Sequence, residues 1–277
     1  MSFFMLKFLI YGCTIKMVIN MTNEEIMKIA LAQSGFDMNC KAEDFLKSEN
    51  VVVYSKEDDR ARKYLKLPFS CNLVSYGNNV VASVNEDTED IVREYINKYP
   101  IEHLFETPNM HVLNEKLLKK GLKICFMAEY FLPDATNLKR LDCGYELRML
   151  ERTDFEDLYK PEWSNALCEK RKYLDVLAIG AYDKGKLIAL AGASCDCEDM
   201  WQIGVDVLPE YRKRGIASSV TSNLAAEIME RGKVPFYCAA WCNIKSVKNA
   251  IKCSFKPAWV EMTVKESEYV DEMNKEK

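Results

Sequence analysis

Val205-Asp206-Val207-Leu208-Pro209-Glu210-Tyr211-Arg212-Lys213-Arg214-Gly215-Ile216-Ala217-Ser218 is the stretch on which the reading of this chain turns. A strand predicted over 200–208 stops at Pro209, and a short basic loop follows. A helix predicted over 214–231 then opens at Gly215 and Ala217, with Ile216, Val220, Leu224 and Ile228 on its buried face. The first N–H groups of a helix have no intrahelical acceptor and lie at the positive end of its dipole, so residues 213–218 form an anion cradle. Gly215, without a side chain, and Ala217, with a small one, let a phosphate approach the backbone. Arg212, Lys213 and Arg214 add three positive charges beside it. A pyrophosphate suits this set of features. The spacing excludes both G-x-x-x-x-G-K-[ST] and G-x-G-x-x-G, so the loop is neither a P-loop nor a dinucleotide fingerprint.

Outward from this stretch, the second half reads as a strand over 146–150, helices over 153–172, a hairpin of 176–182 and 186–194 turning at Asp183-Lys184-Gly185, a strand over 235–241, a helix over 246–253 and a strand over 258–264. The first half opens with a capping box, Thr22 to Glu25, on a helix over 22–33. A short helix over 41–47 follows, then a strand over 51–54 and a hairpin over 72–84 that turns at Gly77-Asn78-Asn79. Helices over 87–98 and 108–120 and a strand over 122–132 complete the half. Residues 133–146 are polar and turn-rich and mark the boundary. The predicted organisation is an extension over 1–20, an α/β domain over 21–140 and a second domain over 141–277. Hairpins mixed with helix crossovers imply a mixed sheet flanked by helices. The apolar run over 3–15 is interrupted by Lys7 and is too short to span a bilayer.

Two motifs carry a resemblance. Arg212-x-x-Gly215-x-Ala217, preceded by Val207-x-Pro209-x-x-Arg212, resembles the R/Q-x-x-G-x-G/A coenzyme A motif of the GNAT superfamily of N-acetyltransferases. Asn243-x-x-Ser246-x-x-x-Ala250-x-x-x-Ser254-Phe255 is similar to its second motif, N-x-x-[AS]-x-x-x-Y-x-x-x-G-F. The resemblance covers roughly 145–265. It implies an α/β (α+β) fold with a mixed, mostly antiparallel sheet flanked by helices. One helix–turn–strand match, 108–131 against 246–264, extends it to a degenerate GNAT-like copy in the first half.

The resemblance further implies acetyl-CoA as cosubstrate and a primary amine, of a small molecule or peptide, that attacks the thioester directly. The backbone of Val205 and Val207 would pair with the pantetheine arm. Residues Arg212, Lys213, Arg214, Gly215, Ile216, Ala217 and Ser218 would hold the pyrophosphate, and Asn243 and Ser246 would meet the pantetheine near its thiol. The sequence departs from the family at Ala250, where the thiolate-protonating tyrosine falls, and at Ser254, where a glycine falls. Ser246, Asp206 and Glu162 are the catalytic candidates, with Cys242 as a substitute thiol and Asp196, Glu198 and Asp199 as further carboxylates. Trp163 beside Glu162 suits a cationic amine but equally a core position.

Composition sets the outer limits. The 277 residues are 48% apolar and 29% charged, as expected of a globular chain, and the net charge of −4 disfavours nucleic-acid binding by bulk charge. The eleven cysteines include no C-x-x-C pair and none near His103 or His111. They read as free thiols of a reducing, cytoplasmic compartment, with no metal site, no membrane partner and a monomer or homodimer as the assembly. The competing function is a non-catalytic CoA-binding sensor or partner-binding module.

Overall fold

The computed structural model describes residues 21–275, so the predicted extension over 1–20 lies outside the described residues. The first half contributes α1 (Asn23–Met38), β1 (Val51–Tyr54), β2 (Cys71–Ser75), β3 (Val81–Val84), α2 (Glu89–Ile96), α3 (Ile101–Leu104), α4 (Thr107–Leu118) and β4 (Leu122–Pro133). The second half contributes β5 (Glu146–Glu151), β6 (Asp175–Asp183), β7 (Lys186–Ser194), β8 (Met200–Val207), α5 (Ile216–Glu230), β9 (Val234–Ala240), α6 (Ile244–Lys252), β10 (Phe255–Glu266) and α7 (Ser267–Lys275). The strands form one mixed, mostly antiparallel sheet in the order β1-β3-β2-β10-β4-β9-β8-β7-β6-β5.

Local chemistry sets many of these elements. Thr22 accepts a hydrogen bond from the Glu25 N–H, and the Glu25 carboxylate accepts one from the Thr22 N–H, so α1 starts where the capping box predicts. The β6–β7 hairpin turns through Lys184 (φ 49°) and Gly185 (φ 83°), two consecutive left-handed residues whose twist matches the strands.

The halves are interlocked. β4 lies between β9 and β10, and β10 lies between β4 and β2. β4 and β10 pair antiparallel from Leu122↔Glu266 to Phe255↔Pro133. Each follows a helix through a left-handed residue, Gly121 (φ 73°) and Ser254 (φ 61°). The likeness of the halves stops there. β5 to β8 form a consecutive antiparallel meander, whereas β1 runs parallel to β3.

Side chains alternate along β4. Met127 and Phe131 pack towards α2–α4 and α5–α6, whereas Tyr130 and Leu132 pack towards α1. The helices thus cover both faces, and α5 buries Ile216, Val220, Leu224 and Ile228 against β6–β9 as the periodicity predicts.

Residues 152–174 correct one expectation. In place of helices they form short 3-10 turns at Arg152–Asp154, Glu156–Leu158, Pro161–Trp163 and Glu169–Leu174. Carboxylates from the sheet take the N–H groups of Asn165, Ala166 and Cys168. The segment is therefore held by partners outside itself, which competes with a helical ladder.

Candidate active site

β8 and β9 pair in parallel only from Met200↔Val234 to Ile203↔Tyr237 and then separate. Leu208 donates its N–H to the Ile188 carbonyl on β7 (3.0 Å), so by alternation the backbone groups of Val205 and Val207 face the opening. The Val207 carbonyl accepts from Arg212 Nε (3.0 Å).

The basic loop enters α5 through two left-handed residues, Lys213 (φ 63°) and Gly215 (φ 81°). Gly215 caps α5 without a side-chain hydrogen bond, and the first ladder bond runs from the Ser219 N–H to the Gly215 carbonyl (3.1 Å). The N–H groups of Ile216, Ala217 and Ser218 therefore have no helical acceptor. A Cβ at Gly215 would be strained by its φ, and the nearest heavy atom to it would be Lys252 Nζ at 3.7 Å. Lys252, at the end of α6, is a cation that sequence reading missed, because its distance from the loop is set by how α6 packs on α5.

The three predicted loop cations are not equivalent. Arg212 is tied to Val207, and Arg214 donates to the Tyr145 hydroxyl (2.9 Å) and the Glu210 carbonyl (3.0 Å). Lys213 is exposed, with no ion pair among the described residues. Ile216 is buried in the core. Ser218 donates its hydroxyl to Asn249 on α6 (3.0 Å), which leaves only its N–H for the cradle. The arrangement can hold a multiply charged anion through N–H groups backed by cations.

Across the opening, Asn243 caps α6 by accepting from the Ser246 N–H (3.3 Å). Ser246 Oγ and Tyr237 Oη share a hydrogen bond of 2.8 Å. Burial pushes the Tyr237 phenol above its ordinary value. Ala250 is fully buried against the core, so the family's tyrosine position offers no hydroxyl. Tyr237 offers one instead from β9, at the last paired position before the strands part. No motif spacing marks it.

The predicted carboxylates separate by environment. Asp206 accepts from the Asn165 N–H (2.8 Å), the Ala166 N–H (3.0 Å) and Asn165 Nδ2 (2.6 Å). It fastens residues 165–166 over the cross-strand pair Gly192↔Gly204, where a Cβ would come within 2.0 Å of the Ala166 carbonyl oxygen or 1.8 Å of the Asn165 carbonyl oxygen. Trp163, 4% exposed, packs in a core cluster with Phe155 and Leu190, and Glu162 beside it is exposed. Asp196 is fully buried and accepts from Ser194 Oγ (2.7 Å). Asp199 pairs with Lys233 (3.2 Å), Glu198 is exposed, and Cys242 is an exposed free thiol. His103 pairs with Glu106 (2.9 Å). No group of three or more His, Cys, Asp or Glu suited to a metal occurs among the described residues.

The sequence matches the family profile described as GNAT acetyltransferase over residues 74–258, well over half of the chain. The chain belongs to the GNAT acetyltransferase family. Solved structures to which this GNAT chain is similar include a GCN5-related N-acetyltransferase-like protein from Streptococcus suis (18% identity, 54% of this chain and 67% of that one, TM-score 0.40). An acetyltransferase from the GNAT family from Colwellia psychrerythraea matches at 18% identity (52% of this chain, 57% of that one, TM-score 0.39). So does an aminoglycoside N-acetyltransferase, AAC(6')-Iy, in complex with CoA, at 20% identity (44% of this chain, 93% of that one, TM-score 0.34). The GNAT chain thus spans between about half and two thirds of the first two proteins' length. No curated protein matches it. The family profile begins at residue 74, so it takes in β4 as well as the two motifs.

Proposed function

We propose that the protein transfers an acetyl group from acetyl-CoA to a primary amine of a small molecule or peptide, by direct attack in a ternary complex. The observation that carries this reading is the uncapped, left-handed entry to α5 beside the parted ends of β8 and β9. The 3′-phospho-ADP end of the cosubstrate sits on the N–H groups of residues 213–218, between Lys213 and Lys252. The pantetheine arm lies along Val205 and Val207 as an added strand and passes Asn243 and Ser246. The thioester then reaches the opening next to Tyr237.

The amine nitrogen bonds to the acetyl carbon, the C–S bond breaks, and the Ser246–Tyr237 hydroxyl pair supplies the proton that the CoA thiolate takes. Asp206 acts as a positioning residue, because its carboxylate already serves three donors. Residues 141–277 carry both motifs, and residues 21–140 complete their sheet with β4 and β2. No helix among the described residues is long and apolar enough to cross a membrane. The free cysteines support a cytoplasmic site of action.

The test is a two-part assay. CoA raises the melting temperature, and acetyl-CoA with a panel of primary amines releases free CoA thiol. Tyr237→Phe lowers kcat about 30-fold while leaving CoA binding unchanged, and Ser246→Ala does the same. Buried Ala250 favours the second reading, a CoA-binding module. Tight CoA binding without turnover on any amine establishes that reading, and no shift in melting temperature rejects both.

A further inference from the structure

The two halves of the chain border space that neither motif describes. A cavity of about 620 Å³ opens between the α3–α4 turn and the β9–α6 turn, walled by Phe105, Met110, Met127 and Trp241. A second, of about 350 Å³, adjoins it on the other side of Phe105 and Trp241 and reaches Tyr76 and Trp259. Their walls are largely aromatic and aliphatic. The charged residues at these walls are all acidic, Glu102, Glu106 and Glu129, and no lysine, arginine or histidine among the described residues lines either space. Glu106 is already paired with His103.

Glu129 stands apart from the other two. It is half-buried at mid-sheet on β4, between register partners Ala239 on β9 and Val260 on β10. Its carboxylate has no hydrogen bond or ion pair among the described residues. A carboxylate without a partner beside apolar walls is free to receive a cation. Its neighbourhood is also that of the proposed reaction. Tyr237 pairs with Phe131, two residues along β4. Glu129 and Tyr237 are thus diagonal neighbours on one face, roughly 7–8 Å apart between their backbone positions.

We infer that this composite space is the acceptor site, that it takes a primary ammonium carried on an aromatic or other apolar body, and that Glu129 receives the ammonium. The inference rests on the acetyl transfer proposed above and adds its substrate class and its base. The ammonium binds to Glu129 and gives it one proton, which passes on to water. The freed amine attacks the acetyl carbon. When the C–S bond breaks, the Tyr237–Ser246 pair gives the thiolate a proton, the nitrogen's second proton restores the one the pair gave, and CoA leaves as the thiol. The sum is ammonium plus acetyl-CoA giving amide, CoA thiol and one released proton. Phe105 and Trp241 hold the apolar body. Trp241 is 43% exposed, which suits a wall completed by its ligand.

The experiment uses the full chain with 2-phenylethylamine and with ethanolamine, which share the amine and differ in the body. Thiol release gives kcat/KM, and calorimetry gives amine and CoA affinities separately. The phenyl amine is expected to be preferred about 30-fold, the value of burying one ring. Trp241→Ala raises its KM about tenfold with little change in kcat. Glu129→Gln lowers kcat/KM about 100-fold for both amines with CoA affinity unchanged, and Glu129→Asp recovers part of the loss. Equal use of the two amines, full activity in Glu129→Gln, or no amine binding to the CoA-loaded chain overturns the assignment. If CoA itself fails to bind, the fault lies with the acetyl-transfer reading. If CoA binds and other amines are acetylated with Glu129→Gln unimpaired, only the acceptor site falls.

Discussion

The anion cradle and the acidic cavity lie on either side of β9 and are opposite in almost every respect. The cradle is built from one continuous stretch, residues 207–218, with Lys252 added from α6. Its binding groups are mainly backbone N–H, and its field is positive. The cavity is built from five separated stretches of both halves, its binding surface is side chain, and its field is negative. A backbone site needs only a local conformation, so a short motif can encode it. A side-chain site between elements needs the whole sheet order first. The chain's net charge of −4 hides both fields, because they cancel in the sum.

The comparison can be broken at several points. The two regions share a platform where residues 165–166 cross Gly192 and Gly204. Gly204→Val drives a side chain into the Asn165 carbonyl, and a loss of about 4 kcal/mol in urea unfolding is expected, with both sites lost together. Survival of either site alone in that variant would show that the platform is not shared. Gly215→Ala acts on the cradle only. CoA binding by calorimetry should weaken about 30-fold, because the left-handed backbone and the open approach are both compromised, while amine affinity holds.

Asp175 tests the same crossing segment through pH. It is 1% exposed and accepts from the Cys168 N–H (2.9 Å) and the Tyr159 hydroxyl (3.2 Å), and burial pushes its carboxyl up to about 6. The folded chain therefore holds this proton more tightly than the unfolded one. The group's contribution to stability is greatest below about pH 4, falls as pH rises to about 6 and stays low above, a change of about 3 kcal/mol. Denaturation at pH 4.5 and pH 7 should show that slope in the parent chain and a flatter one in Asp175→Asn. The smallest effect belongs to Lys252→Ala. CoA affinity should drop about fivefold at low salt and less at high salt, as for any exposed charge, with the amine KM unmoved. A salt-independent loss would mean that Lys252 holds α6 in place instead of the anion.

Most of the individual elements were legible. The capping box at Thr22, the turn at Lys184-Gly185 and the buried face of α5 each follow from local spacing, and the structure has all three. Residues 152–174 were misread because Asp206, distant in sequence, and Asp175, at the start of β6, take their backbone donors. α7 was not foreseen at all. It buries no residue fully, and its apolar side chains are only Tyr269, Val270 and Met273. Within the site, Gly215 and Asn243 could be named from motifs. Tyr237, Lys252 and Glu129 could not, since each matters through what lies beside it across the sheet or between helices.

By itself the sequence determined a strand, a basic turn and an uncapped helix start in that order, and with them the resemblance to a particular family. Those features depend on residues within about one helical turn of each other, where backbone conformation and side-chain size are local properties. Only the tertiary structure decided that β4 would enter the sheet between β9 and β10. That single placement sets Glu129 beside the parted strands and Phe105 opposite Trp241. Strand order is a property of long-range pairing, and no short window of residues contains it.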